Sequence, residues 1–167
     1  MARAVIFDVN ETMLDLGALD LLFAEWFGSP VVRKEWCAQT LHFALTLAAT
    51  RTFKSFGEVG TAALIEIARR HQVSLPDNTP TRLRGAMVHL PAHTDVEPAL
   101  RHLRAMGVVT AALSNNPLPV VGEQLRHAGL APLFAEIMSV DEVGALKPAP
   151  EVYQFATHRL DLPPRSI

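Results

Sequence analysis

Three short apolar runs, each closing on polar or charged residues, constrain this chain more than any other feature. Residues 3 to 9 run from Arg3 through Val5, Ile6 and Phe7 to Asp8 and Val9. Residues 108 to 113 are apolar but for Thr110 and lead into Ser114, Asn115 and Asn116. Residues 135 to 140 carry Ile137, Met138 and Val140, and Lys147-Pro148 follows. Runs this short suit strands buried on both faces, as in a parallel sheet. Helical patterns lie between and after them. Val96, Leu100 and Leu103 mark a helix that Gly107 can close. Pro117 to Ala128 places proline in a first turn and Gly129 past the end. Glu151 to Leu160 is a last helix, which Pro163-Pro164 is expected to stop. Strand and helix in alternation predict parallel strands joined by right-handed crossovers. The C-terminal strand ends then face one crevice, where ligands bind in open α/β sheets.

Residues 17 to 90 break this rhythm. Leu19, Leu22, Phe23, Trp26 and Phe27 follow helical spacing, and Val32, Trp36, Phe43 and Leu47 share a face of a second helix. Leu64, Ile67, Ala68 and His71 suggest a third helix, and Leu83, Met87 and Leu90 a fourth. The expected organisation is an α/β core from residues 1–16 and 91–167, with a helical insertion over 17–90 covering the strand ends. The chain stops at Arg165-Ser166-Ile167, where a further strand would begin. Three strands make a thin sheet, so the first is expected at an edge, and a missing C-terminal portion is expected on those grounds.

Composition excludes several classes of function. A net charge of -2 gives no electrostatic reason to bind nucleic acid or an acidic membrane. No stretch reaches the roughly 18 apolar residues of a membrane span, and the N-terminus lacks the pattern of a signal peptide. With one cysteine, Cys37, the chain forms no internal disulfide, which fits a reducing compartment and a cytoplasmic location. Cys37 reads as a packed small hydrophobe rather than a nucleophile. The seven histidines show no metal-ligand spacing.

Asp8 with Thr12, Ser114 with Asn115, Lys147 and the nearby Tyr153 all fall at or just after strand ends. A carboxylate there can attack carbon or phosphorus and form an ester. A lysine beside it favours the ionised carboxylate, and hydroxyl and amide donors can hold an anionic substrate or leaving group. In this order the residues resemble a known family. Phe7-Asp8-Val9-Asn10-Glu11-Thr12 resembles the first motif of the haloacid dehalogenase superfamily, and Leu113-Ser114-Asn115-Asn116 the second. Lys147-Pro148 through Tyr153 resembles the third, in the form typical of (S)-2-haloacid dehalogenases. The resemblance implies a Rossmann-like core with a helical cap inserted after the first strand. It implies hydrolysis of a short 2-haloalkanoic acid through an ester on Asp8, with no metal and no other cofactor. Thr12 and Lys147 would hold Asp8, and Ser114 would bind the substrate carboxylate. Asn115 would help receive the halide, and Tyr153 would sit near the nucleophile. Arg33 would match a cap arginine that grips the substrate. Dimers formed through cap surfaces in the family leave a homodimer open.

The departures from the pattern carry information too. Asn10 stands where the superfamily's phosphatases carry an acid, and an amide cannot transfer a proton there. Asn10-Glu11 replaces the Tyr-Gly pair usual in the dehalogenases, and Asn10 is a substrate-binding candidate. A fourth motif, which supplies an acid and polar groups to activate water, finds no match before Ile167. A Mg²⁺-dependent phosphatase and an inactive fragment or binding module are the alternatives. Side chain by side chain, simpler roles stay open: a turn for Asp8, a helix cap for Ser114-Asn115, surface for Lys147, solvated surface for Arg33 and core packing for Tyr153.

Overall fold

A computed structural model describes residues 3–167. Strands β1 (Ala4–Phe7), β2 (Val109–Ser114) and β3 (Glu136–Ser139) form a parallel sheet in the order β1-β2-β3. The register sets Phe7 beside Ala112 and Ser114 beside Ser139, so the strand ends lie close together. β2 is central and behaves as the continuous apolar run predicts, buried from Thr110 to Ser114. β1 departs from that expectation: only Ala4 is fully buried, while Val5, Ile6 and Phe7 are half-buried. Its place at the sheet edge accounts for the difference, because no strand of the described residues covers its outer side.

Helices α5 (Val96–Ala105), α6 (Leu118–His127) and α7 (Pro150–Leu160) occupy the predicted positions. β2 alternates between two apolar layers. Ala112 packs with Leu100, Val121 and Leu125, whereas Ala111 and Leu113 pack with Met138, Val152 and Ala156. α5 ends through Gly107 and α6 through Gly129, both at positive φ, as their spacing predicts. α7 instead ends at Asp161, whose φ of 49° breaks the helix before Pro163 and Pro164 are reached.

Between β1 and β2 lie α1 (Asp20–Phe27), α2 (Val32–Ala49), α3 (Phe56–His71) and α4 (Thr79–Val88). Ser55 and Glu58 form a reciprocal cap at the start of α3, satisfying backbone donors that the helix cannot. Phe23 is fully buried and meets Trp26 edge-on at 5.6 Å, Phe27 stacked at 5.8 Å and Trp36 at 5.4 Å. These aromatic contacts hold α1 against α2. The chain leaves and re-enters the sheet by two segments that pair with each other: Asp15 N donates to the Pro91 carbonyl and His93 N to that of Met13, both at 2.9 Å. No helix among the described residues is long and apolar enough to cross a membrane.

Phe23→Ala is expected to destabilise the protein by about 3–5 kcal/mol, the usual range for removing a buried aromatic ring. Equilibrium urea unfolding measures this. A loss below about 1 kcal/mol, small on the same scale, would mean that the aromatic cluster collapses around the vacancy or is not the centre of the helical layer.

Candidate active site

The backbone beyond β1 folds back at once. Met13 N and Leu14 N both donate to the Val9 carbonyl, and Glu11 N donates to that of Leu14. This tight turn leaves Asp8 at the sheet's edge and brings Thr12 back over it, where Thr12 Oγ1 donates to Asp8 Oδ2 at 3.2 Å. From the loop after β3, Lys147 Nζ reaches Asp8 Oδ1 at 2.5 Å and also donates to the Leu113 carbonyl at 2.8 Å. Lys147 is mostly buried, whereas the Asp8 side chain is 47% exposed. Both carboxylate oxygens are therefore anchored while the group stays open to a reactant.

The second loop is fastened to the third. Lys147 N donates to Asn115 Oδ1 at 3.0 Å. Ser114 is buried, and its Oγ accepts from Asn116 N at 3.0 Å. Ser139 Oγ in turn donates to the Asn116 carbonyl at 2.8 Å. Asp8, Thr12, Asn115 and Lys147 thus form one connected group, with Ser114 directly behind it. Surface lysine is not the role of Lys147. Ser114 does not cap the following helix, whose N-cap is Pro117; it makes a local turn with Asn116 N instead, and its hydroxyl hydrogen is left for another acceptor. Tyr153 lies in the first turns of α7, 47% exposed, so core packing is not its role.

Arg33 is not a solvated surface residue. It is buried near the start of α2, with Nε donating to Asp20 Oδ1 at 2.5 Å and Nη1 directed at Cys37 Sγ and Glu11 Oε1, both at 3.9 Å. Burial opposes the Arg33 cation, but the hydrogen bond and charge of Asp20 outweigh it and raise the guanidinium's pKa. Nη2 has no partner among the described residues. Glu11, in the turn after Asp8, adopts φ 63°, a conformation that suits glycine. Its side chain compensates by accepting from Leu16 N at 3.1 Å and facing Arg33.

Sequence reasoning missed Gln124. It is fully buried on α6, and its Nε2 donates to Asn10 Oδ1 at 3.2 Å and to the Met87 carbonyl at 2.8 Å. Its Oε1 accepts from Asn116 Nδ2 at 2.9 Å. The available signal was helical spacing: with Val121 and Leu125 facing the core, position 124 must face inward as well. Among the described residues, no group of three His, Cys, Asp or Glu side chains is placed to hold a metal ion.

A family model described as haloacid dehalogenase-like hydrolase matches residues 2–167. The chain belongs to this family. Its relatives include (S)-2-haloacid dehalogenase 1 of Pseudomonas sp. (strain CBS-3), 30% identical over 99% of this chain and 74% of that protein. Among solved structures, the L-2-haloacid dehalogenase RSc1362 superposes with a TM-score of 0.93 at 26% identity, over 99% of this chain and 76% of that one. The L-2-haloacid dehalogenase of Xanthobacter autotrophicus gives a TM-score of 0.90 at 23% identity, over 99% and 68%, which speaks to the fold. The parallel core with a helical cap after its first strand is thus the fold of this family, as the motifs imply.

Cys37 yields a local test of the cap interior. Burial pushes its thiol above the ordinary value, and the neighbouring Arg33 only partly offsets this. Less thiolate is then present at any given pH. At pH 8 the native protein should react with iodoacetamide at least about tenfold more slowly than the urea-unfolded chain, followed by intact mass. Equal rates would contradict the burial of Cys37.

Proposed function

We propose that this protein hydrolyses short (S)-2-haloalkanoic acids to 2-hydroxy acids, with Asp8 as the nucleophile. The observation that carries this reading is the Asp8 carboxylate, fixed at both oxygens by Lys147 and Thr12 yet half exposed. In the reaction, an Asp8 oxygen attacks the carbon bearing the halogen from the side opposite it. The carbon–oxygen bond forms as the carbon–halogen bond breaks, and the halide leaves with the bonding pair. Water then attacks the ester carbonyl of Asp8, releasing the hydroxy acid, a proton and the regenerated carboxylate. The carbon is inverted once, because the second step breaks no bond to it.

Lys147 and Thr12 hold the attacking group in a near-attack geometry. The Asn115 and Asn10 amides have their oxygens tied to protein donors, so their NH₂ groups are available to an anion. Ser114 is assigned to the substrate carboxylate through its remaining hydroxyl hydrogen, and Tyr153 to the mouth of the site. Arg33 is assigned to the substrate through Nη2, the guanidinium nitrogen left free by Asp20. Residues 17–90 act as the cap that excludes water from this crevice. A homodimer is part of the reading, supported by Leu41 and Leu45, one turn apart on α2, and Ile65 on α3, all more than half exposed.

Halide release from (S)-2-chloropropionate, with EDTA present, tests the proposal. The parent is expected to release chloride and Asp8→Asn none. Lys147→Met should lower kcat on the order of a hundredfold or more, as loss of a preorganised charged donor does. Chloride release by Asp8→Asn at the parental rate would exclude the nucleophile. Hydrolysis of a phosphate ester that stops on chelation would favour the Mg²⁺-dependent phosphatase instead.

A further inference from the structure

The buried amide network beneath the Asp8 turn decides what Asn10 can do. The Met87 carbonyl can only accept a hydrogen bond, so the Gln124 nitrogen must lie on its side. That choice leaves Gln124 Oε1 for Asn116 Nδ2 and spends the second Nε2 hydrogen on Asn10 Oδ1. Asn10 is thereby held with its oxygen inward and its nitrogen outward. Asn10 Nδ2 has no partner among the described residues. Asn115 repeats the arrangement, with its oxygen held by Lys147 N and its nitrogen without a partner among the described residues.

We propose that Gln124 is a positioning residue that fixes Asn10 as a hydrogen-bond donor, so that Asn10 and Asn115 together hold a monoanion beside Asp8. The anion is either the departing halide or the carboxylate of the substrate. Both need donors, and an acceptor turned outward at position 10 would point the negative end of its dipole at the anion. The place of this donor pair in the reaction rests on the dehalogenation reading; its capacity to bind an anion does not.

The test uses the whole chain labelled with ¹⁵N. Sodium bromide and sodium propionate are titrated separately while the Asn10 side-chain amide signals, identified by their loss in Asn10→Ala, are followed. At least one salt should shift them in the parent, bromide assigning the leaving-group role and propionate the carboxylate role. Gln124→Leu should weaken that response about tenfold, as loss of an orienting hydrogen bond does. Gln124→Met, of similar length and without donors, carries the same test if the leucine variant does not fold. In turnover, Gln124→Leu should lower kcat/KM in the parent background but add little to Asn10→Ala, since it acts through Asn10. Asn10 signals silent to both salts, an unchanged titration in the Gln124 variants, or a full additive loss on Asn10→Ala would overturn the proposal. A parent that binds these anions but releases no halide would sink the dehalogenation reading and leave the donor pair standing.

Discussion

The pairing of Asp8 with Lys147 spans 139 residues of sequence and ties one edge of the sheet to the loop beyond the other. Lys147 Nζ also donates to the Leu113 carbonyl, so the contact crosses the central strand. Half-exposed ion pairs contribute little to stability, about 0–1 kcal/mol. Its importance is geometric. The parallel register brings the ends of β1, β2 and β3 together, and the lysine then locks Asp8 to the other two loops. A one-residue slip would turn every inward side chain outward, and Asp8 would lose its partner.

Around that pair the structure is organised by commitment of hydrogen-bonding groups. Ser139 holds the Asn116 carbonyl, Lys147 N holds the Asn115 oxygen, and Gln124 holds Asn10, Asn116 and Met87 together. Each bond satisfies a polar group near or within the core, where an unmet one costs about 1–3 kcal/mol. The cap joins the same scheme through Arg33, which links Asp20 on α1 to Glu11 in the turn after Asp8. The hydrogen bond that Glu11 accepts from Leu16 N helps to hold its left-handed backbone, which costs a non-glycine residue about 1–2 kcal/mol.

Much of this was legible in the residues. Period and punctuation located the strands and helices, because burial and chain reversal leave local marks: apolar runs, Gly107 and Gly129, Pro117. Asp8, Thr12 and Lys147 were legible from their places at strand ends. What escaped depends on contacts between distant segments. The motifs marked Arg33 as a candidate, but its burial appears only once Asp20 and Glu11 are placed beside it. Gln124 is an ordinary polar residue until α6 is rotated against the sheet and Asn10 and Met87 arrive from elsewhere. The half-exposure of β1 could not be read from its own composition, since it follows from the order of the strands.

The central claim, covalent attack by Asp8, is tested most directly on the Asp8 carboxylate itself. The protein is incubated with (S)-2-chloropropionate in heavy-oxygen water, and the peptide containing Asp8 is weighed. The account predicts a mass gain confined to Asp8, either one esterified propionate or heavy oxygen left in the carboxylate after ester hydrolysis. An unaltered Asp8 peptide, with heavy oxygen passing straight into the hydroxy acid, would show that water attacks the substrate directly and would contradict it.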